Sequence, residues 1–289
     1  MKVLVTGAQG QLGYDVCRRL TALGIEHRGI DLADLDITDE RAVQTYVCDY
    51  APDVIMHNAA YTAVDRAETE PALCRNVNAN GTNYLAESAA RAGAKFVYIS
   101  TDYVFDGEKM GAYRPDDLPC PVSVYGSTKE EGERFVRAAT DRHFIVRISW
   151  VFGLHGKNFV RTMLRLAETH DTLNVVCDQV GSPTYTADLA VLLCDMIRTE
   201  KYGTYHATNA GICSWYDFAC EIFRQAGKDV RVVPVTTEEY LRMAPQQAKR
   251  PKNSVMEQDK LVRNGFALLP DWKDALARYL AQLRENHEA

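Results

Sequence analysis

Short runs of apolar, β-branched residues alternate along the first half of this chain with longer stretches whose apolar positions recur every three or four residues. The run KVLVT at 2–6 is continuous enough to be a strand buried on both faces. A helical pattern at 14–23 follows, then strand patterns at 26–30, 52–57, 94–100 and 143–148. Between them the spacing predicts helices over 39–49 and 70–91, and another opening near residue 124. Strands alternating with helices in this way form parallel sheets with right-handed crossovers. The expected fold class is therefore α/β, a Rossmann-like doubly wound parallel sheet. Beyond 150–153 the rhythm loosens into helix 158–170, strand 173–177, helix 186–200, amphipathic helix 214–226, strand 230–235, an irregular basic segment 246–256 and a terminal helix 271–285. That half reads as a smaller mixed α/β region assembled from separate segments. There is no internal repeat or low-complexity tract.

Composition narrows the partners. The chain has 289 residues, 46% apolar and 25% charged, with net charge −6 and no long basic run, so neither nucleic acid nor an anionic membrane is an expected partner. Eight cysteines (17, 48, 74, 120, 177, 194, 213, 220) are scattered without a C-x-x-C, as in a reducing compartment without disulfides or zinc. Met1 runs straight into a strand and no stretch approaches eighteen apolar residues, so the expected location is cytoplasmic.

Chemistry enters at the strand ends. Between strand 2–6 and the next helix lies Gly7-Ala-Gln-Gly10-Gln-Leu-Gly13, a turn whose backbone N–H groups and helix N-terminus suit a pyrophosphate. Its spacing is G-x-x-G-x-x-G rather than G-x-G-x-x-G. Gly7, Gln9, Gly10, Gln11, Leu12 and Gly13 are therefore candidate dinucleotide contacts. Asp31, ending the second strand, is placed for adenosine ribose hydroxyls and favours NADH over a 2′-phosphate, although Arg28 lies close by. Asp36 and Ile37 are candidates for the adenine, while Thr38 or Asp39 would cap the next helix. Asn58, Ala59, Ala60 and Tyr61 follow the third strand, where small residues suit a cofactor crossing the sheet edge. Ser100, Thr101, Asp102 and Tyr103 end the fourth strand facing the same crevice. On this basis 1–152 forms a dinucleotide-binding domain to which 172–206 returns, and 153–171 with 207–289 forms a substrate-binding region.

Tyr125 and Lys129, four apart, share one helix face. A neighbouring ammonium stabilises a phenolate, and lowering a phenol by about three pKa units takes about 4 kcal/mol. The spacing alone also fits an exposed helix face.

TGAQGQLG at 6–13, NAA at 58–60 and YGSTK at 125–129, in that order, resemble the extended short-chain dehydrogenase/reductase family. STDYVFDG at 100–107, RISWVFG at 147–153, DQVGSPTY at 178–185 and RPKNSVM at 250–256 resemble its dTDP-4-dehydrorhamnose reductase branch, across nearly the whole chain. That resemblance implies NADPH- or NADH-dependent reduction of the C4 ketone of a dTDP-linked 4-keto-6-deoxyhexose. It implies Tyr125, Lys129 and Thr101 as catalytic residues, with Tyr125, Lys129 and Ser100 also at the cofactor. Thr101, Asp102, Tyr103, Trp150, Arg250 and Asn253 would contact the dTDP-sugar, Arg250 through the diphosphate, and 181–184 would form a turn over it. Some enzymes of this type hold magnesium between glutamates at a dimer interface. Here Asp15 and Asp188 occupy those places without a third acid, so no metal ligand is assigned, magnesium stays open, and the chain is a monomer or a homodimer. Two rivals keep the fold. A non-catalytic regulatory subunit, like the beta subunit of methionine adenosyltransferase, would tolerate loss of the Tyr or Lys. A sugar-nucleotide epimerase or dehydratase would recycle its NAD, and a dehydratase would prefer Asp-Glu after the Thr, where only Asp102 follows.

Overall fold

The structure, a computed structural model, describes residues 1–243 and 247–288, with side chains described through Glu285. Six strands form one parallel sheet: β1 (Lys2–Thr6), β2 (Glu26–Ile30), β3 (Val54–His57), β4 (Lys95–Thr101), β5 (His143–Ile148) and, much later in the chain, β7 (Gly203–His206). Their order is β7-β5-β4-β3-β1-β2, so the winding reverses between β1 and β3. In such sheets the crevice beyond the strand ends at that reversal is where ligands sit.

Alternate side chains of the central strands feed two cores, which is why these segments are apolar throughout. Val3, Val5, Val97, Phe144 and Val146 point to one face with α1 (Gln11–Ala22) and α6 (Thr186–Met196). Leu4, Ile55, Phe96 and Ile145 point to the other, with α2 (Glu40–Tyr50), α3 (Thr82–Ala92) and α4 (Val124–Ala139). Asp39, not Thr38, caps α2, its carboxylate accepting from Ala42 N–H at 3.0 Å.

The long helix expected over 70–91 is interrupted. A short helix, Pro71–Arg75, and α3 flank a π-helical turn at Asn76–Gly81. Asn78 in this turn accepts from Tyr61 N–H at 2.8 Å and donates to Tyr61 C=O at 3.1 Å, tying the widened turn to the loop after β3. Such turns are rare and concentrate at functional sites.

Of the segment expected to return to the sheet, α6 and β7 do so. Strand β6 (Thr172–Val176) does not: it pairs with β8 (Arg231–Val235) in a separate parallel ribbon. Thr172 and Asn174 are exposed and only Val175 and Val176 are buried, so β6 has one apolar end rather than two apolar faces. A third core joins Phe152, Val160, α7 (Trp215–Ala226) and α8 (Trp272–Glu288) through Phe218, Leu276 and Tyr279. Of the basic segment 246–256, residue 246 lies outside the described residues. Among the described residues no helix is long and apolar enough to cross a membrane.

Candidate active site

A cavity of about 860 Å³ opens along the carboxyl edge of the sheet, at the β1/β3 reversal. All the glycine-turn candidates line it: Gly7, Gln9, Gly10, Gln11, Leu12 and Gly13. Gly7 has φ +65°, and a Cβ there would lie 2.8 Å from Ala59 N; a Cβ on Gly13 would lie 2.1 Å from Gly7 O. The first brings the turns after β1 and β3 together, and the second seats α1 against its own turn. No side chain caps α1, whose N-terminal residues form the cavity wall. That is a donor set suited to a diphosphate. Behind it, Thr6 Oγ1 accepts from Ala59 N–H at 3.2 Å and pairs with His57 Nδ1 at 2.8 Å. Burial pulls His57 down to about 3, so the ring is neutral and braces the turn.

At the far end lie Asp31, Asp36 and Ile37, joined by Leu32 and Leu35, which the periodicity did not single out. Asp31 accepts from Gln9 N–H at 3.1 Å and Leu32 N–H at 2.9 Å. Asp36 accepts from the Thr38 hydroxyl and N–H, which hold its carboxyl below the usual range. Arg28 lies over the Tyr50 ring at 4.5 Å and does not line the cavity. Asn58, Ala59, Ala60 and Tyr61 also line it. The buried Oδ1 of Asn58 has no protein partner, an unspent acceptor suited to a ribose hydroxyl or a carboxamide. These groups fit a dinucleotide.

Tyr125 and Lys129, on the first turns of α4, line the middle of the cavity with Ser100, Thr101, Asp102 and Tyr103. Ser123 caps α4 by accepting from Gly126 N–H at 3.1 Å. The neighbouring hydroxyls divide their duties. Ser100 donates to Glu133 at 2.6 Å and is turned into the protein, whereas the Thr101 hydroxyl faces the cavity near Tyr125. Thr101 in turn donates to Asp102 Oδ1 at 2.9 Å, and the Ser254 hydroxyl donates to Asp102 Oδ2 at 2.5 Å. Burial pushes Asp102 up to about 6 despite both bonds.

The expected depression of the Tyr125 phenol by Lys129 is not seen. Burial pushes Tyr125 above the usual tyrosine range, opposed by the nearby Thr101 hydroxyl and reinforced by Asp102. Lys129 is 3% exposed, its Nζ 4.1 Å from the centre of the Tyr98 ring, and burial brings it down to about 7 against the pull of Glu133. With its own charge disfavoured by burial, Lys129 is not among the groups that shift the Tyr125 phenol. Tyr125 is thus a phenol that keeps its proton at neutral pH, the state required of a proton donor.

The substrate-half candidates separate. Trp150 lines the cavity with φ +50°, a left-handed conformation uncommon for a bulky residue, and stacks on Trp215 at 3.8 Å. Arg250 stands outside the lining, with both Asp65 carboxylate oxygens at 3.0 and 3.1 Å from Nη2. Asn253 does not face the cavity. Its amide donates to Lys109 O and Gly111 O, both at 2.7 Å, and accepts from Val255 N–H at 2.9 Å, so all its polar capacity braces the loop beside it. Its neighbour Ser254 reaches the site instead, through Asp102. The 181–184 turn is likewise spent within the fold: Ser182 C=O accepts from Ser149 Oγ and Thr184 Oγ1 donates to Ser149 O, both at 2.7 Å.

Asp15 and Asp188 are engaged by partners inside the chain. Thr186 donates to Asp15 at 2.5 Å, and the Arg278 guanidinium meets both Asp188 oxygens at 2.7 and 2.8 Å. The Asp188 carboxylate is already met by an arginine fork, and among the described residues no cluster of three His, Cys, Asp or Glu could hold a metal.

The family model described as RmlD substrate binding domain matches residues 1–285. A dTDP-4-dehydrorhamnose reductase of Aggregatibacter actinomycetemcomitans is 43% identical over 95% of this chain and 97% of its own length. Among solved structures, a dTDP-4-dehydrorhamnose reductase from Clostridium acetobutylicum is 46% identical with a TM-score of 0.95, over 98% of this chain and 100% of that one. One from Bacillus anthracis, solved in complex with NADP, is 43% identical with a TM-score of 0.93, over 97% of this chain and 99% of that one. With a Rossmann-like sheet, a glycine turn opening onto a Tyr–Lys–Thr constellation and a family match along almost its full length, this chain belongs to the RmlD substrate-binding-domain family.

Proposed function

We propose that this protein reduces the C4 ketone of dTDP-4-dehydro-L-rhamnose to dTDP-L-rhamnose, using NADPH or NADH. The reading is carried by one juxtaposition: a protonated phenol, Tyr125, shares a single cavity with an uncapped glycine-turn helix and an unspent Asn58 acceptor. It is supported by the reductases of high identity along the whole chain, one of them holding NADP.

Reduction of a ketone needs a hydride on carbon and a proton on oxygen. The dihydronicotinamide supplies the hydride when bound. Tyr125 holds the proton and gives it to the ketone oxygen as negative charge develops there. Thr101 is fixed by its bond to Asp102, and its hydroxyl favours the phenolate of Tyr125 against the pull of burial, easing the loss of the proton. Lys129 supplies a cation whose charge is poised near neutrality, able to answer an anion arriving beside it. The glycine turn holds the diphosphate at the middle of the dinucleotide, and Asp31 holds the adenosine ribose. With Asp31 at the end of β2 and Arg28 withdrawn onto Tyr50, NADH should be accepted alongside NADPH.

The decisive measurement follows dihydronicotinamide absorbance with dTDP-4-keto-6-deoxy-L-mannose and identifies the sugar formed. One equivalent of NADH or NADPH consumed per sugar reduced is the expected result. Turnover without net consumption would instead mark an epimerase or dehydratase. No oxidation, with tight binding to an adenosyltransferase, would mark a regulatory subunit.

Arg250, held by Asp65 outside the cavity lining, is assigned to the sugar nucleotide's diphosphate on the resemblance of RPKNSVM, and would exchange Asp65 for phosphate oxygens. Arg250→Ala should raise the sugar-nucleotide KM about tenfold or more, the scale of a charge-assisted pair, with little change in kcat. A fall in kcat at unchanged KM would show that Arg250 serves the chemistry and not the binding.

A further inference from the structure

The charged groups lining the cavity are three carboxylates, Asp31, Asp36 and Asp102, and two lysines. Lys129 is buried beside Tyr125. Lys157 is exposed, and among the described residues it forms no ion pair. A dinucleotide brings two phosphate charges into this surplus of acids, and the helix dipole of α1 offers only about half a charge to balance them.

Lys157 belongs to the 153–158 loop, which is fastened onto the first turns of α1. Asn158 donates to Gln11 Oε1 at 3.0 Å and to Gly153 O at 2.9 Å, and its own carboxamide oxygen caps α5 (Phe159–Leu166). His155 stacks on Tyr14 at 3.7 Å and 22°. Gly156, at φ +73°, passes so close that a Cβ would touch Gln11 Cγ at 3.4 Å. The loop therefore lies beside the turn that faces the diphosphate, and Gly156 and Lys157 form cavity wall next to Gly10 and Gln11.

We propose that Lys157, delivered by this loop, is the cation that neutralises the dinucleotide's diphosphate. The inference rests on the reductase reading above and adds to it a binding residue remote from the reacting atoms. It separates the two diphosphates of the reaction: Lys157 serves the dinucleotide, and Arg250, held by Asp65, serves the sugar nucleotide.

The test is equilibrium binding of NADH and NADPH to the full chain, read by dihydronicotinamide fluorescence, for the native protein, Lys157→Ala and Lys157→Arg. Lys157→Ala should weaken both dinucleotides about tenfold, the scale of one charge-assisted bond discounted for solvent. Its affinity should also depend less steeply on salt than that of the native protein. Lys157→Arg should recover most of the loss. Melting temperature, kcat at saturating cofactor and sugar-nucleotide KM should all stay near native values. Unchanged dinucleotide affinity in Lys157→Ala would overturn the proposal, as would a loss confined to NADPH or one that falls on sugar-nucleotide KM instead. Native protein that binds neither dinucleotide would overturn the reductase reading itself.

Discussion

Tyr125→Phe should lower kcat by about 10²–10⁴-fold, the range for loss of a positioned acid, while dinucleotide affinity stays within about twofold. The substitution removes one hydroxyl and little else. The ring keeps its edge contact with Tyr103, at 5.4 Å and 80°, and the Ser123 cap of α4 is untouched. Thr101 still donates to Asp102, so the strand end keeps its shape. What disappears is the proton that burial holds on the phenol at neutral pH. Single-turnover mixing with saturating NADH should show the defect in the chemical step rather than in cofactor or sugar binding. An equal loss of dinucleotide affinity, or a kcat near the native value, would remove Tyr125 from the role of proton donor.

Arg147→Ala should destabilise the protein by about 3–5 kcal/mol, because it strands a carboxylate in the interior. Arg147 is 1% exposed and Glu133 is fully buried. Their two bonds, Nε to Oε1 at 2.8 Å and Nη2 to Oε2 at 2.7 Å, form a fork joining β5 to α4. Ser100 adds a bond to Oε1 at 2.6 Å, and Arg137, more exposed, reaches Oε2 at 2.6 Å. These four contacts keep Glu133 ionised below the usual carboxyl range despite its burial. Without Arg147 the carboxylate retains only Ser100 and Arg137. Replacing both partners by apolar residues, Arg147→Met with Glu133→Leu, should restore much of the stability in denaturant unfolding, since a buried pair offsets little more than its own desolvation. The restored variant should still bind and turn over less well at neutral pH, because Lys129 loses the carboxylate that supports its charge. Full recovery of activity would show that the pair is only a structural joint.

Much of the active region is legible in one dimension. The glycine turn lies between a strand and a helix, and Tyr125 and Lys129 stand one helical turn apart, so local spacing already places them. The substrate half is less legible. RPKNSVM marks a segment that meets the site, yet spacing does not reveal that Ser254 reaches Asp102 while Asn253 braces a loop. Nothing local distinguishes Lys157 from any exposed lysine. Its meaning comes from Asn158 bonding to Gln11 and from the stack of His155 on Tyr14.

By itself the amino-acid sequence determined the strand–helix alternation, the parallel sheet, the dinucleotide turn and the Tyr–Lys pair. Each of these depends on residues only a few positions apart, whose periodicity and backbone preferences act before any distant contact forms. Only the tertiary structure decided the detachment of β6 from the main sheet, the Arg250–Asp65 and Arg147–Glu133 pairs, and the protonation of the phenol. Those depend on which distant groups are brought together and on how much water they lose. Burial raises Tyr125 and lowers Lys129 in a way that their spacing of four residues cannot express.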